Sequence, residues 1–226
     1  MRLRIRLHST EGFEDFLAPT KFCDCDNQEI IKKAKELTEN DNTPKEAALS
    51  IFHFLRDKIP YLVNYIVKAS ETLKTGQGFC ITKSNLQVAL LRAINIPARY
   101  HHAYLKKEVL KDIVPVIVYE NMQDIITFHP WCECYLSKKW ISCDTTFDKA
   151  LVEALYKKNL RSKNEIPSIH WDGENDLNTM NTWMVEDKGT HESLDNLFLE
   201  IQKDWNNTPI ENYVQMNQYI NNVRKI

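Results

Sequence analysis

Cys80 closes the run Gly76-Gln77-Gly78-Phe79-Cys80, and a helical period begins at it. Two glycines let the backbone approach closely just before the thiol. Leu86, Ala89, Leu90, Ala93 and Ile94 then recur at helical spacing, as an apolar stripe facing a core. Asn95 suits the left-handed turn that ends a helix, and Pro97 blocks continuation. A cysteine at a helix start meets unpaired N–H groups and the positive end of the helix dipole, both of which stabilise a thiolate. The plainer alternative is a small buried residue at the start of a core helix.

Two further residues complete a possible chemistry. His129 lies in Phe128-His129-Pro130-Trp131-Cys132-Glu133-Cys134-Tyr135-Leu136, and Asp144 ends Trp140-Ile141-Ser142-Cys143-Asp144. Both runs are rich in aromatic residues and read as strands, joined by the polar turn Ser137-Lys138-Lys139. Such a hairpin sets Asp144 diagonally from His129 on the neighbouring strand. Nucleophile, base and acidic orienter then follow in the order Cys, His, Asp.

The ordered set of motifs resembles the transglutaminase-like superfamily. The resemblance rests on Gly78-Phe79-Cys80, on Leu90-Leu91-Arg92-Ala93 with Ile96-Pro97-Ala98-Arg99, on His129-x-Trp131-x-Glu133, and on Trp140-x-x-x-Asp144-x-Thr146. Upstream it reaches Phe16-Leu17-Ala18-Pro19-Thr20 and Leu55-Arg56-Asp57-Lys58-Ile59-Pro60-Tyr61, so it spans roughly residues 16–148. It implies an α+β papain-like cysteine proteinase fold, with N-terminal helices including the nucleophile helix packed on an antiparallel sheet. It also implies a catalytic triad of Cys80, His129 and Asp144, and no cofactor. Three positions depart from the family pattern: Asn95 stands for a usual glycine, Pro130 for a small alanine and Thr145 for a common proline. Pro130 cannot donate a ladder hydrogen bond beside the site.

The elements that must position these residues read as follows. Residues 2–8 alternate Leu3, Ile5 and Leu7 with Arg2, Arg4 and Arg6, a half-exposed strand. Asp26 to Thr38 reads as a helix capped by Asp26 or Asn27. Thr43-Pro44 with Glu46 opens a second helix through a capping box, with Ala47, Ala48, Ile51, Phe52 and Leu55 on its apolar face. Residues 100–105 read as a strand, whose parity sends His101 and His102 to opposite faces. Val114 to Tyr119 reads as a further strand or as an insertion flanking the cleft. Beyond 148, helices are expected near Leu151–Leu160, from His191 to Asp204, and from Asn212 to Arg224, with an irregular loop at 167–181. The organisation is a core at 1–148 with a C-terminal extension at 149–226 packed on it, together one domain.

Around the site, Gln77 is a candidate second oxyanion donor beside the Cys80 N–H, or simply an exposed loop residue. Trp131 and Trp183 are candidate cleft residues, with core packing or anchoring of the C-terminal segment as their alternative. Trp171 is open to the same two readings. Arg99 and Glu133 read as ion-pairing residues.

Composition narrows the classes. Lys+Arg 29 against Asp+Glu 31 offers no electrostatic footprint for nucleic acid. Six cysteines in 226 residues are too sparse for a disulfide scaffold. Cys23-x-Cys25 and Cys132-x-Cys134 lack the usual zinc-ligand spacing, so no metal site is expected. The charged alternation at 2–8 is not a signal peptide, and no run has membrane-span length. These features point to a reducing cytoplasm, and the resemblance implies a protein or peptide substrate. The shared chemistry leads to a thioester from a glutamine side chain or a peptide bond. Hydrolysis (peptidase or amidase) is favoured over transamidation by small size and the lack of a calcium motif. A silent binding module of the same fold is the remaining class.

Overall fold

The computed structural model describes residues 11–64, 66–206 and 210–225, so the alternating stretch at 2–8 lies outside the described residues. Helix α1 (Gln28–Leu37) starts where the Asn27 side chain accepts the Glu29 N–H. Helix α2 (Pro44–Lys58) carries the expected capping box: Thr43 Oγ1 accepts from Glu46 N–H, and the Glu46 carboxylate accepts from Thr43 N–H. Helix α3 (Ala69–Thr75) ends at Gly76, whose φ of 65° is the left-handed conformation glycine adopts without steric cost.

Helix α4 (Cys80–Ala93) begins at the cysteine, as its sequence implies, and Asn95 takes the expected left-handed turn (φ 61°). Its burial is not a stripe. Every residue from Cys80 to Arg92 is buried, so the helix runs through the middle of the molecule, packed against α1, α2, α3 and the sheet. The stripe underestimates this because half the helix is polar and its polar side chains bond to backbone instead of water. Asn85 donates to the carbonyls of Phe22 and Val67 and accepts the Tyr100 hydroxyl. Arg92 donates to the carbonyls of Ala18, Ala98 and Glu192, and Lys83 to that of Ile59. Gln87 donates to the Cys143 carbonyl and accepts from the Thr145 hydroxyl. Helix α4 therefore pins the loops around it, including the one that carries Asp144.

Strand β1 (Ala98–Lys106) is central. It pairs antiparallel with β2 (Ile125–Leu136), and β2 pairs with β3 (Lys139–Ser142). Ser137 and Lys138 both have positive φ, the geometry of a tight hairpin turn that matches strand twist. Pro130 sits opposite His102, where β2 has run past the end of β3. Between β1 and β2, residues 114–119 are not a strand. They hold the short helix α5 (Val116–Asn121), so the insertion alternative describes them.

After Asp144 come α6 (Lys149–Lys157), β4 (Met184–His191), α7 (Asp195–Asn206) and α8 (Ile210–Arg224). α7 is the helix expected from His191 to Asp204, starting four residues later. β4, for which no strand was expected, pairs with β1 and completes the sheet order β3-β2-β1-β4. Its sequence, Met-Val-Glu-Asp-Lys-Gly-Thr-His, carries almost no apolar alternation because it is an exposed edge strand. Residues 149–226 thus supply sheet, core and, as shown below, part of the cavity. Phe198 of α7 is fully buried against Phe22 and Tyr100. The α+β papain-like fold expected from the motifs is the fold present: helices, one of them central, packed on an antiparallel sheet.

Candidate active site

The approach to Cys80 is tight. Gly78 exchanges backbone hydrogen bonds with the Pro60–Leu62 segment, which fixes Tyr61 beside the start of α4. A Cβ on Gly78 would lie 2.4 Å from Thr82 Oγ1, and that hydroxyl accepts the Phe79 N–H. Only glycine fits there.

Cys80 is 7% exposed. Its thiol lies 3.8 Å from the Phe128 carbonyl, one residue before His129. Burial pushes the thiol up to about 12, against the pull of the Ile81 and Cys80 N–H groups; the Asp144 charge adds to the rise. His129 is also buried. Burial lowers its imidazole to about 4, partly opposed by Asp144, while His102 lowers it further. Burial thus favours the neutral form of both groups, the thiol and the imidazole. The helix terminus does act in the expected direction, but desolvation outweighs it.

His129 packs over Trp131 (ring centroids 5.7 Å, 30°), and its Nε2 is buried with no hydrogen-bond partner. Asp144 lies just past the end of β3, diagonally across from His129, and makes no hydrogen bond to it. Its Oδ1 accepts from Thr146 N–H (2.8 Å). Its Oδ2 accepts from both the backbone N–H (3.0 Å) and the hydroxyl of Thr179. The segment carrying Thr179 is itself laced to the strand end: Leu177 N–H donates to the Ser142 carbonyl, and Asp144 N–H to that of Leu177. Nothing in the sequence near Thr179 marks it, since its role depends on a contact 35 residues away in the chain.

Cys80 and His129 open on one cavity of about 510 Å³, within the usual range for small-molecule sites. Tyr61 and Phe79 form part of its wall, and α5 and α8 contribute Ile117 and Met216. Gln77 is not on this wall; its carbonyl accepts from Asn64. Neither Trp131 nor Trp183 lines it. Trp131 stands behind His129, stacked on His101 (4.2 Å, 12°), with its indole N–H on Ser142. Trp183 is buried under the Arg161 guanidinium. Trp171 packs on Phe52. Arg99 and His101 both pair with Glu133, as the ion-pairing reading of Arg99 and Glu133 expects.

The cysteines divide into separate places. Cys132 and Cys134 share a buried pocket with Cys143, whereas Cys25 turns to the Leu17 carbonyl. Among the described residues no three His, Cys, Asp or Glu side chains are placed to hold a metal ion. No helix among them is long and apolar enough to cross a membrane.

The family model for the transglutaminase-like superfamily matches residues 31–145, just over half of the chain, from α1 to one residue past Asp144. The chain belongs to the transglutaminase-like superfamily. No curated protein matches it. Among solved structures, this transglutaminase-like chain is similar to a "putative cysteine protease" from Cytophaga hutchinsonii, with 26% identity over 60% of this chain and 42% of that one, at a TM-score of 0.46. A "putative protease" from Parabacteroides distasonis matches at 15% identity over 57% of this chain and 26% of that one, at a TM-score of 0.37. The chain spans less than half the length of either structure.

Proposed function

We propose that this transglutaminase-like protein is a cysteine-dependent amide hydrolase in which Cys80 is the nucleophile, His129 the base and Asp144 the group that stabilises the charged imidazole. The observation that carries this reading is the sharing of one cavity by Cys80 and His129 at the start of a buried helix. With both groups neutral at rest, proton transfer accompanies attack: as sulfur bonds to the amide carbon, the thiol proton passes to His129. The Asp144 charge raises the basicity of His129 through space, so it favours the imidazolium that forms. The Cys80 N–H is one oxyanion donor. Tyr61 is a better-placed second donor than Gln77, because its side chain is on the cavity wall. His129 then protonates the leaving amine, and a thioester remains on Cys80.

Hydrolysis of that thioester is favoured over transfer to an amine. No carboxylate lines the cavity among the described residues, so nothing there receives a cationic amine. The six free cysteines fit a reducing compartment such as the cytoplasm. The test is to incubate the protein with glutamine-containing peptides, with and without a fluorescent primary amine. Ammonia or peptide release that Cys80→Ala abolishes, without amine incorporation, supports the reading; Cys80-dependent amine incorporation replaces it with transamidation.

One observation favours a silent binding module instead: Asp144 spends its hydrogen bonds on Thr146 and Thr179, not on His129. Absence of any Cys80-dependent turnover would move that reading first.

A further inference from the structure

Lining the cavity, the described residues include no Asp, Glu, Lys or Arg. Leu105, Val109, Val118, Ile126, Phe128 and Met180 make up much of its wall, from β1, α5, β2 and the segments beside them. Such a wall lets an apolar group shed its water and leaves a charged group without a partner. The mouth continues the pattern. Val116 and Ile117 on α5 are 64% and 67% exposed, and Val214 on α8 is 49% exposed. Ile117 lines the cavity, as do Tyr213 and Gln215 on either side of Val214. Among the described residues, three of the four most exposed large apolar side chains thus stand on the two helices that flank one opening. An apolar rim on an apolar cavity with a nucleophile in its wall points to what enters it.

We infer that the amide substrate carries a large apolar group, aromatic or branched aliphatic, next to the scissile bond, with α5 as the specificity element. The inference deepens the hydrolase reading and rests on it for the word substrate. It excludes free amino acids and peptides whose flanking residues are charged, since neither an α-carboxylate nor an ammonium finds a partner.

Matched peptide amides test it. One series varies the residue on the acyl side of the bond and another the residue on the amine side, each through Phe, Leu, Ala, Asp and Lys. Binding is measured by calorimetry on Cys80→Ala, and turnover on the wild type. The expected result is that Phe or Leu binds at least about tenfold more tightly than Asp or Lys on one side of the bond. Ile117→Glu, a change at an exposed position, should erase that preference. Val185→Glu, at a 50% exposed apolar residue of β4 away from the cavity, should leave it intact. Equal binding of apolar and charged members, or a preference that survives Ile117→Glu, would overturn the inference whether or not turnover is seen. Apolar-selective binding without Cys80-dependent turnover would keep the inference about the ligand and reject the hydrolase reading.

Discussion

Thr179 gives both its backbone N–H and its hydroxyl to one oxygen of Asp144. The acidic residue expected to orient His129 is therefore oriented itself, by a segment beyond the family-matched region. A buried carboxylate needs such donors to satisfy its oxygens.

Thr179→Val removes the hydroxyl donor and leaves the backbone one. Loss of a hydrogen bond to a buried charged group typically costs about 1.5–3 kcal/mol. Urea unfolding should show a loss of that order, with turnover reduced as well. Thr179→Ser should restore both. Full stability in the valine variant would show that the hydroxyl contact is unimportant.

Folded-state pH dependence follows from His129, whose value falls from 6.5 to about 4 through burial. Between those values the unfolded chain binds a proton that the folded one does not. Stability therefore falls as pH drops from 6.5 toward 4, by up to roughly 3 kcal/mol from this residue. The check is the difference in urea stability between wild type and His129→Gln at pH 7 and pH 4.5. The wild type should lose more on acidification; equal losses would remove His129 as the cause.

Arg224, near the end of α8, donates to Asp148 (2.6 Å) and to the Tyr61 carbonyl (2.6 Å), while Asp148 accepts the Tyr61 N–H. Burial raises the Asp148 carboxyl, yet Arg224 and Lys83 bring it net below its usual range. Arg224→Ala strands a nearly buried carboxylate, and breaking such a pair commonly costs about 3–5 kcal/mol. Thermal melting should show this, and Arg224→Ala with Asp148→Asn should recover part of it. If Arg224→Ala melts like the wild type, the C-terminal helix does not hold the Tyr61 segment.

Much of this was legible in the sequence where local chemistry dominates. Thr43, Pro44 and Glu46 announce the start of α2, and Gly78, Asn95 and Pro97 bracket α4, because caps and left-handed turns depend on residues a few positions apart. The Cys80 and Asp144 motifs were readable for the same reason, since each sits at an element boundary, while His129 was readable from the aromatic-rich run inside β2. What sequence could not carry was set by tertiary contacts. Full burial of α4 depends on Asn85, Gln87 and Arg92 finding backbone partners from distant loops. β4 has no period-2 pattern because it is a polar edge strand. α5 at 116–121 reads as a strand because Val-Ile-Val favours one, yet it lies outside the sheet and exposes Val116 and Ile117. The shift of Cys80 and His129 toward neutrality comes from burial, which no motif encodes.

Gly78→Ala would place a methyl 2.4 Å from Thr82 Oγ1 and force the Cys80 approach apart. Overpacking of this kind costs roughly 1–3 kcal/mol. Thr82→Ala in the same chain should relieve part of the clash, giving a favourable coupling in a double-mutant cycle. Additive losses would show that the clash is absorbed elsewhere.

The central claim, that Cys80 reacts through His129, is most directly tested by iodoacetamide labelling of the folded protein, with mass-spectrometric mapping of all six cysteines, in wild type and His129→Ala. Cys80 should label at pH 7 with His129 taking its proton, slow by about 10²-fold in His129→Ala while the other five cysteines label as before, and fade toward pH 4 where His129 becomes protonated. If Cys80 does not label in the folded protein, or labels equally without His129, the pair is not a working nucleophile and base, and the silent binding module becomes the better description.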